Sequence, residues 1–254
     1  MYFWRDEEIL RVTRTRNMIQ LFTWPTPNGQ KVQILLEELG VAYGATAINI
    51  LRGEQFAADF LAISPNNKIP AITDDEISVD GGPLSVFETG AILIYLAEKF
   101  GAFLPSELVG RTSVLEWTLF QCSSLGPMLG QATHFRRYAK EDHAYSIDRY
   151  TSEAVRLYGV LERRLADREW IAASEYSIAD IATFPWICRH RRQGVMINDF
   201  PSVKKWLDRV SARPAVTRGM DLLKQVAIAS PLDDRAHEKL FGKRGDASLS
   251  AGEV

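Results

Sequence analysis

The apolar pattern of this chain changes character once, near Pro105, and that change limits what it can fold into. Before it, short runs rich in apolar residues alternate with helical periods. From Arg111 onward only the helical period remains. Strands and helices alternating over a short span make a compact α/β unit, and helices alone make a bundle. The predicted fold class is therefore an α/β N-terminal domain followed by an all-α C-terminal domain.

Met18 to Trp24 reads as a strand with Ile19, Leu21 and Phe22 apolar. The turn Pro25-Thr26-Pro27-Asn28-Gly29 then feeds a helix to Leu39, with Val32, Leu35, Leu36 and Leu39 on one stripe. Thr26 suits the N-cap, Pro27 the first helical position and Gly40 the stop. Tyr43 to Ile50 alternates as a second strand, and a short helix is expected near Phe56 to Ile63. Ala71 to Thr73 is a third strand closed by Asp74-Asp75, and Leu84 to Phe87 a fourth. Glu88-Thr89 opens an amphipathic helix through Phe100, with Gly101 as its end. Further helices are predicted at 111–137, 145–167, 178–192 and 201–212. Gly126-Pro127 should bend the first of these, and the Ser177-Ile178-Ala179-Asp180 box opens the third. Asp180 reads as a cap rather than a catalytic acid. The resulting boundaries are an extension at 1–17, an α/β domain at 18–101, a linker at 102–110, a helical domain at 111–228 and a tail at 229–254. The tail loses its apolar period and is expected to be extended or disordered.

Of the 254 residues 46% are hydrophobic and 24% charged, as in ordinary globular proteins. A formal net charge of −2 leaves no electrostatic footprint for nucleic acid or an anionic membrane. The charged start does not read as a signal peptide, and the longest apolar run, Ala91 to Ala97, is too short to span a bilayer. Cys122 and Cys188 are far apart without a C-x-x-C, which fits a reducing compartment. A soluble, cytoplasmic protein is expected. His134 and His143 have no metal-like spacing with each other or with a cysteine, and no metal is expected.

The candidate site begins at Ser64-Pro65-Asn66-Asn67-Lys68-Ile69-Pro70-Ala71-Ile72, a polar turn running through Ile-Pro into a strand. An X-Pro bond there tolerates the cis form, and proline keeps Ile69 at the strand edge. The Ile69 amide and carbonyl would then suit a peptide-like ligand laid alongside as an extra strand. Helix starts near Asn28 and Glu88 offer unpaired N–H groups and partial positive charge, suited to carboxylates and a thiolate. If the fourth strand and its helix fold back beside the first strand, these three features face one pocket. Gln55, Lys68, Glu88 and Thr89 add polar arms of both signs, compatible with a small zwitterionic peptide. Each alone has a plainer reading, as a cap or a solvated loop residue. Trp117, Phe120 and Trp186 read as core, although the first two could line a second-substrate pocket.

The stretches Thr26-Pro27-Asn28-Gly29, Ser64 to Pro70, Phe87-Glu88-Thr89-Gly90, Gly126-Pro127-Met128 and Ser177 to Asp180, in this order, resemble a cytosolic glutathione transferase. The likeness is to the bacterial nu class, whose members are disulfide-bond reductases, and to its fungal relatives. It covers roughly residues 18 to 228. It implies a thioredoxin-like first domain with a mixed four-stranded sheet, a helical-bundle second domain, glutathione as cosubstrate and a homodimer. It carries glutathione contacts over to Asn28, Gln55, Lys68, Ile69, Glu88, Thr89 and, on the resemblance alone, Arg149. Where many classes place a Tyr, Ser or Cys near the first helix, this sequence has Thr26 and Asn28. A covalent protein–glutathione disulfide is therefore not expected. Both residues are read as donors to the glutathione sulfur. The implied activity is reduction of small disulfides through two glutathiones, with conjugation to electrophiles second. A glutathione-binding regulatory protein with little catalysis, as in some fungal relatives, is the alternative.

Overall fold

The computed structural model describes residues 19–228 and 232–242; the predicted extension at 1–17 lies outside them, as do 229–231 and 243–254 of the tail. The first domain holds strands β1 (Ile19–Thr23), β2 (Tyr43–Ala47), β3 (Ala71–Val79) and β4 (Gly82–Phe87) with helices α1 (Pro27–Leu39), α2 (Ala58–Ile63) and α3 (Thr89–Phe100). The sheet order is β2-β1-β3-β4, with β1 parallel to β2 and antiparallel to β3, and β3 antiparallel to β4. The sheet is therefore mixed and four-stranded. Thr26 caps α1 by accepting from the Gly29 amide at 3.2 Å. Gly40 and Gly101 close α1 and α3 in the left-handed region, each at φ 65°.

β3 runs past its expected end at Asp74-Asp75. The Asp74 carboxylate is fully buried, yet it is held by Lys99 and Tyr95 of α3 and accepts from the Glu76 amide at 3.0 Å. A charge that reads as a strand end in sequence is here matched from the helix above. β4 pairs with β3 rather than lying beside β1, because β3 takes the position next to β1.

The second domain is helical: α4 (Leu108–Phe120), α5 (Gly126–Arg137), α6 (Ala144–Leu165), α7 (Ile178–Ile187), α8 (Pro201–Ser211), α9 (Pro214–Asp221), α10 (Lys224–Ile228) and α11 (Asp234–Phe241). α4 starts inside the predicted linker. The bend expected at Gly126-Pro127 is a wide π turn over Gln121–Leu125 that separates α4 from α5. Pro127 has no N–H to continue the ladder into that turn. α7 ends at Ile187, short of the predicted 192, and a 3₁₀ turn follows at His190–Gln193. Asp180 is the cap that the sequence suggests. Its buried carboxylate accepts from the Ile171 amide (3.0 Å), the Ser177 amide and hydroxyl (3.1 Å each) and Trp206 Nε1 (2.8 Å).

The tail expectation fails over α11. Asp233 caps this helix through the Ala236 amide at 2.7 Å, and a His237 ring nitrogen sits 2.7 Å from the Tyr138 carbonyl. The Phe241 ring stacks on Tyr138 at 5.5 Å and meets His134 edge-on at 4.8 Å. Aromatic contacts with the end of α5 replace the aliphatic stripe that this segment lacks. Lys239 reaches the first domain, its Cδ 3.3 Å from where a Cβ on Gly53 would stand.

One apolar core runs through both domains, from Ile19, Leu21, Val32 and Leu35 to Leu125, Leu129, Ile178 and Trp206. α1 is its hinge piece. Arg213 grips Glu38 through two hydrogen bonds of 2.6 and 2.8 Å, and Arg218 meets Glu37 at 2.6 Å. α9 crosses α1 closely enough that a Cβ on Gly219 would stand 2.7 Å from the Ile34 backbone. The start of α1 is thereby fixed against the helical domain as well as the sheet.

Candidate active site

The strand register brings the candidate residues to one edge of the sheet. Phe22 pairs with Ala71, and Ala71 pairs with Phe87, so the end of β1, the start of β3 and the end of β4 lie in one row. β2, parallel to β1, ends opposite Thr23 at Ala47. The segments leaving or entering that row are Trp24 to Asn28, Ile69-Pro70, Glu88-Thr89 and Asn49 to Gln55. The segments expected to face one pocket thus leave the same edge of the sheet, although β3 stands between β1 and β4.

At the start of α1, Gly29 lets the helix sit directly on the end of β1. A Cβ there would overlap the Trp24 carbonyl and stand 2.6 Å from Thr23 Oγ1. Thr26 Oγ1 spends a lone pair on the Gly29 amide, which leaves its O–H proton to be donated. Asn28 Oδ1 accepts from the indole Nε1 of Trp186 in α7 at 3.0 Å. Trp186 is thus more than the core residue expected: it reaches from the helical domain to the first turn of α1.

The Ile69–Pro70 bond is cis. The Ile69 side chain packs on a small cluster of Ile48, Phe60 and Ala71 under α2, and its peptide precedes the β3 register, which begins at Ala71. The turn before it is tied by Ser64 Oγ donating to the Lys68 carbonyl at 2.8 Å. The Lys68 side chain is exposed and makes no ion pair among the described residues. Gln55 is buried and donates Nε2 to the Ile50 carbonyl at 3.3 Å. Its Oε1 has no hydrogen-bond partner among the described residues. Such an orphaned acceptor is what a ligand N–H would satisfy.

Glu88, the residue before α3, has φ 69° and ψ 121°, a conformation that L residues rarely adopt. Its carboxylate is exposed and accepts from Asn66 Nδ2 at 3.3 Å, linking the α3 start to the Ile69 turn. Thr89 is buried, and its hydroxyl accepts from Lys31 Nζ at 3.1 Å. Arg149 lies on α6, with its side chain 58% exposed and 3.9 Å from Glu153; among the described residues no ion pair or hydrogen bond ties it to this edge.

Sequence reasoning missed the group behind Thr89. Lys31 is 2% exposed, and its ammonium donates to Gln121 Oε1 at 2.6 Å as well as to Thr89. Burial pulls its pKa down to about 8, against the opposing pull of Cys122 and Glu88. Cys122 Sγ stands 3.9 Å from Thr89 Oγ1, so the π turn brings a thiol to the start of α3, not to that of α1. The available signal was the spacing of Lys31, Leu35 and Leu39, which puts the lysine on the apolar stripe.

Taken together, the edge presents donors at α1, an unpaired cation and a buried orphan acceptor beside it, and an unladdered peptide between them. That set suits a small extended molecule carrying carboxylates, amides and a sulfur. Among the described residues, no group of three or more His, Cys, Asp or Glu is placed to hold a metal, and no helix is long and apolar enough to cross a membrane.

The family model for the glutathione S-transferase N-terminal domain matches residues 18–98, and that for the C-terminal domain matches residues 132–214. The chain is 47% identical over 207 residues to the disulfide-bond oxidoreductase YfcG of Escherichia coli, covering 82% of this chain and 95% of that one. Among solved structures, a Pseudomonas fluorescens glutathione transferase family member with two glutathiones bound superposes at a TM-score of 0.76 with 44% identity, covering 82% of this chain and 95% of that one. A Pseudomonas putida glutathione transferase with one glutathione disulfide bound per subunit gives 0.77 with 42% identity, covering 83% and 94%. Two domain matches in the observed order and close relatives covered almost end to end place this chain in the glutathione S-transferase family.

Proposed function

We propose that the protein is a glutathione-dependent disulfide-bond oxidoreductase, acting in the cytoplasm as a homodimer. In the first step a bound glutathione thiolate attacks one sulfur of a small disulfide. A glutathione–substrate disulfide forms, the substrate S–S bond breaks, and the departing thiolate takes up a proton. A second glutathione thiolate attacks the mixed disulfide at the glutathione sulfur, giving glutathione disulfide and the second substrate thiol. Glutathione supplies both electrons, so no metal or protein thiol takes part.

The protein binds and ionises the tripeptide. The Ile69 peptide pairs with its backbone, Lys68 and the α3 start with Glu88 and Thr89 meet its charged ends, and Gln55 Oε1 accepts one of its N–H groups. Arg149 is a further contact on family likeness alone. Thr26 and Asn28 donate to the sulfur. A free thiol of pKa about 8.5 is only about 3% thiolate at pH 7, and lowering it by about two units takes about 2.7 kcal/mol. A helix N-terminus contributes up to ~2 kcal/mol when partly buried, and a hydrogen bond to a charged group about 1.5–3 kcal/mol. The two together suffice without a general base.

The observation that carries this reading is that Thr26 and Asn28, on one helix turn, each have an acceptor already engaged and donors left over. The test is reduction of hydroxyethyl disulfide beside conjugation of chloro-dinitrobenzene. Disulfide reduction well above conjugation, falling at least tenfold in Thr26→Ala/Asn28→Ala, is expected. Glutathione binding with neither activity would instead make this a glutathione-binding regulator.

A further inference from the structure

We propose that Trp186 is a positioning residue for this reaction: its indole N–H locks the Asn28 side chain so that the amide NH₂, not the carbonyl oxygen, is offered to the substrate sulfur. The inference rests on the proposed role of Asn28 and goes beyond it, because it assigns the orientation of the amide to a residue of the other domain.

A terminal amide is nearly symmetric in shape, and an unrestrained Asn can present either a donor or an acceptor by turning over. The two faces have opposite consequences at a sulfur. A donor stabilises a thiolate, whereas an acceptor would hold the proton on a thiol. An indole N–H can only donate. At 3.0 Å from Asn28 it therefore requires the oxygen on its side, and turning the amide over would set donor against donor. No described residue accepts from Asn28 Nδ2, which is left for a ligand. With Thr26 Oγ1 also engaged by the Gly29 amide, both side chains at the helix start are set as donors. The site is tuned to an electron-rich sulfur.

The indole is itself held firmly. It follows Pro185 in the last turn of α7, and its backbone carbonyl accepts from Gln193 Nε2 at 2.8 Å. Gln193 is fully buried and in turn accepts from the Tyr158 hydroxyl at 2.7 Å. The ring lies across Gly126 and Gly130 of α5. A Cβ at those positions would stand 3.6 Å from Cε2 and 3.4 Å from Cη2, already in van der Waals contact. Three helices of the second domain thus aim one N–H at the first turn of α1.

Trp186→Phe keeps most of the ring and removes the donor. Three readouts are taken: the thiol pKa of bound glutathione from its thiolate absorbance, kcat and KM for hydroxyethyl disulfide, and the melting temperature. The expected result is a roughly threefold fall in kcat/KM at pH 7, carried by kcat, with the bound thiol pKa raised by about one unit and melting little changed. Adding Asn28→Ala to Trp186→Phe should then cost little more, because the two act through one group. If the phenylalanine variant does not fold, the wild-type indole N–H resonance of Trp186 replaces it as readout. That resonance should shift in Asn28→Ala and stay put in Thr26→Ala. Wild-type kinetics and thiol pKa in Trp186→Phe, losses that simply add, or an indole resonance indifferent to Asn28 would each overturn the proposal while leaving the oxidoreductase reading in place. A wild-type protein that binds no glutathione would overturn both.

Discussion

Replacing Lys31 by Met separates the cost of a buried charge from the benefit of its hydrogen bonds, and pH tells them apart. The ammonium is 2% exposed, and its pKa falls from 10.5 to about 8, chiefly because burial disfavours the charged form. At about 1.4 kcal/mol per unit, holding the charge at pH 7 costs about 3 kcal/mol. Lys31→Met removes that penalty but leaves Gln121 Oε1 without its donor, a loss of about 1–3 kcal/mol. The two variants should therefore be nearly equal in stability at pH 7. Above pH 8 they part. The folded protein then releases the Lys31 proton while the unfolded chain keeps it up to about 10.5, so the unfolded state binds more protons and stability rises with pH. Wild type should gain on the variant by about 2 kcal/mol in all between pH 8 and 10. Urea unfolding of both proteins at pH 7, 8, 9 and 10 measures the difference, in which the other titrating groups cancel. A difference that stays flat to pH 10 would refute the argument, since Lys31 would then titrate as an ordinary lysine.

Other perturbations follow the same logic. Asp180→Ala strands the Trp206 indole and the Ile171 and Ser177 amides, and should lower stability by roughly 3–5 kcal/mol in chemical denaturation. Gly29→Ala places a methyl against the Trp24 carbonyl and displaces the turn bearing Thr26 and Asn28. Stability should fall by about 1–3 kcal/mol, and kcat for disulfide reduction should fall with it. Asp74 is pushed up by burial but pulled down further by Lys99 and Tyr95, leaving its carboxyl below the usual 3.8. Its contribution is present above that pH and is lost as pH falls through the folded value. Wild type should consequently lose more stability than Asp74→Asn on going from pH 5 to pH 2. Burial, and after it His237 and His143, hold His134 below its ordinary 6.5, so protonation favours the undocked state of α11. Hydrogen exchange of residues 234–241, corrected for intrinsic rates, should be faster relative to the core at pH 5 than at pH 7.5.

How much of this was legible follows from where each signal resides. Thr26, Pro27 and Gly40 bound α1 by local rules, and the Ser177–Asp180 box does the same for α7; such elements need no tertiary partner to be read. β3 reads short in sequence because Asp74 looks like a strand end, and its matching groups Lys99 and Tyr95 lie on another element. Lys31 carries no local signal for the same reason, since its partners Thr89 and Gln121 are remote in sequence. α11 carries too few aliphatic residues to show a period and is held instead by rings on α5. The turn bearing Thr26 and Asn28 is legible in sequence, but the hydrogen bonds its side chains make are not. Only the arrival of Trp186, 158 positions away, shows which face of Asn28 is free.

The most direct test of the account is the thiol pKa of glutathione bound to the wild-type protein, followed through its thiolate absorbance from pH 5 to 10. Donors at the start of α1 predict a value near ~6.5, about two units below free glutathione, that returns toward ~8.5 in Thr26→Ala/Asn28→Ala. A bound thiol that titrates at or above the free value, or one unmoved by the double substitution, would contradict it.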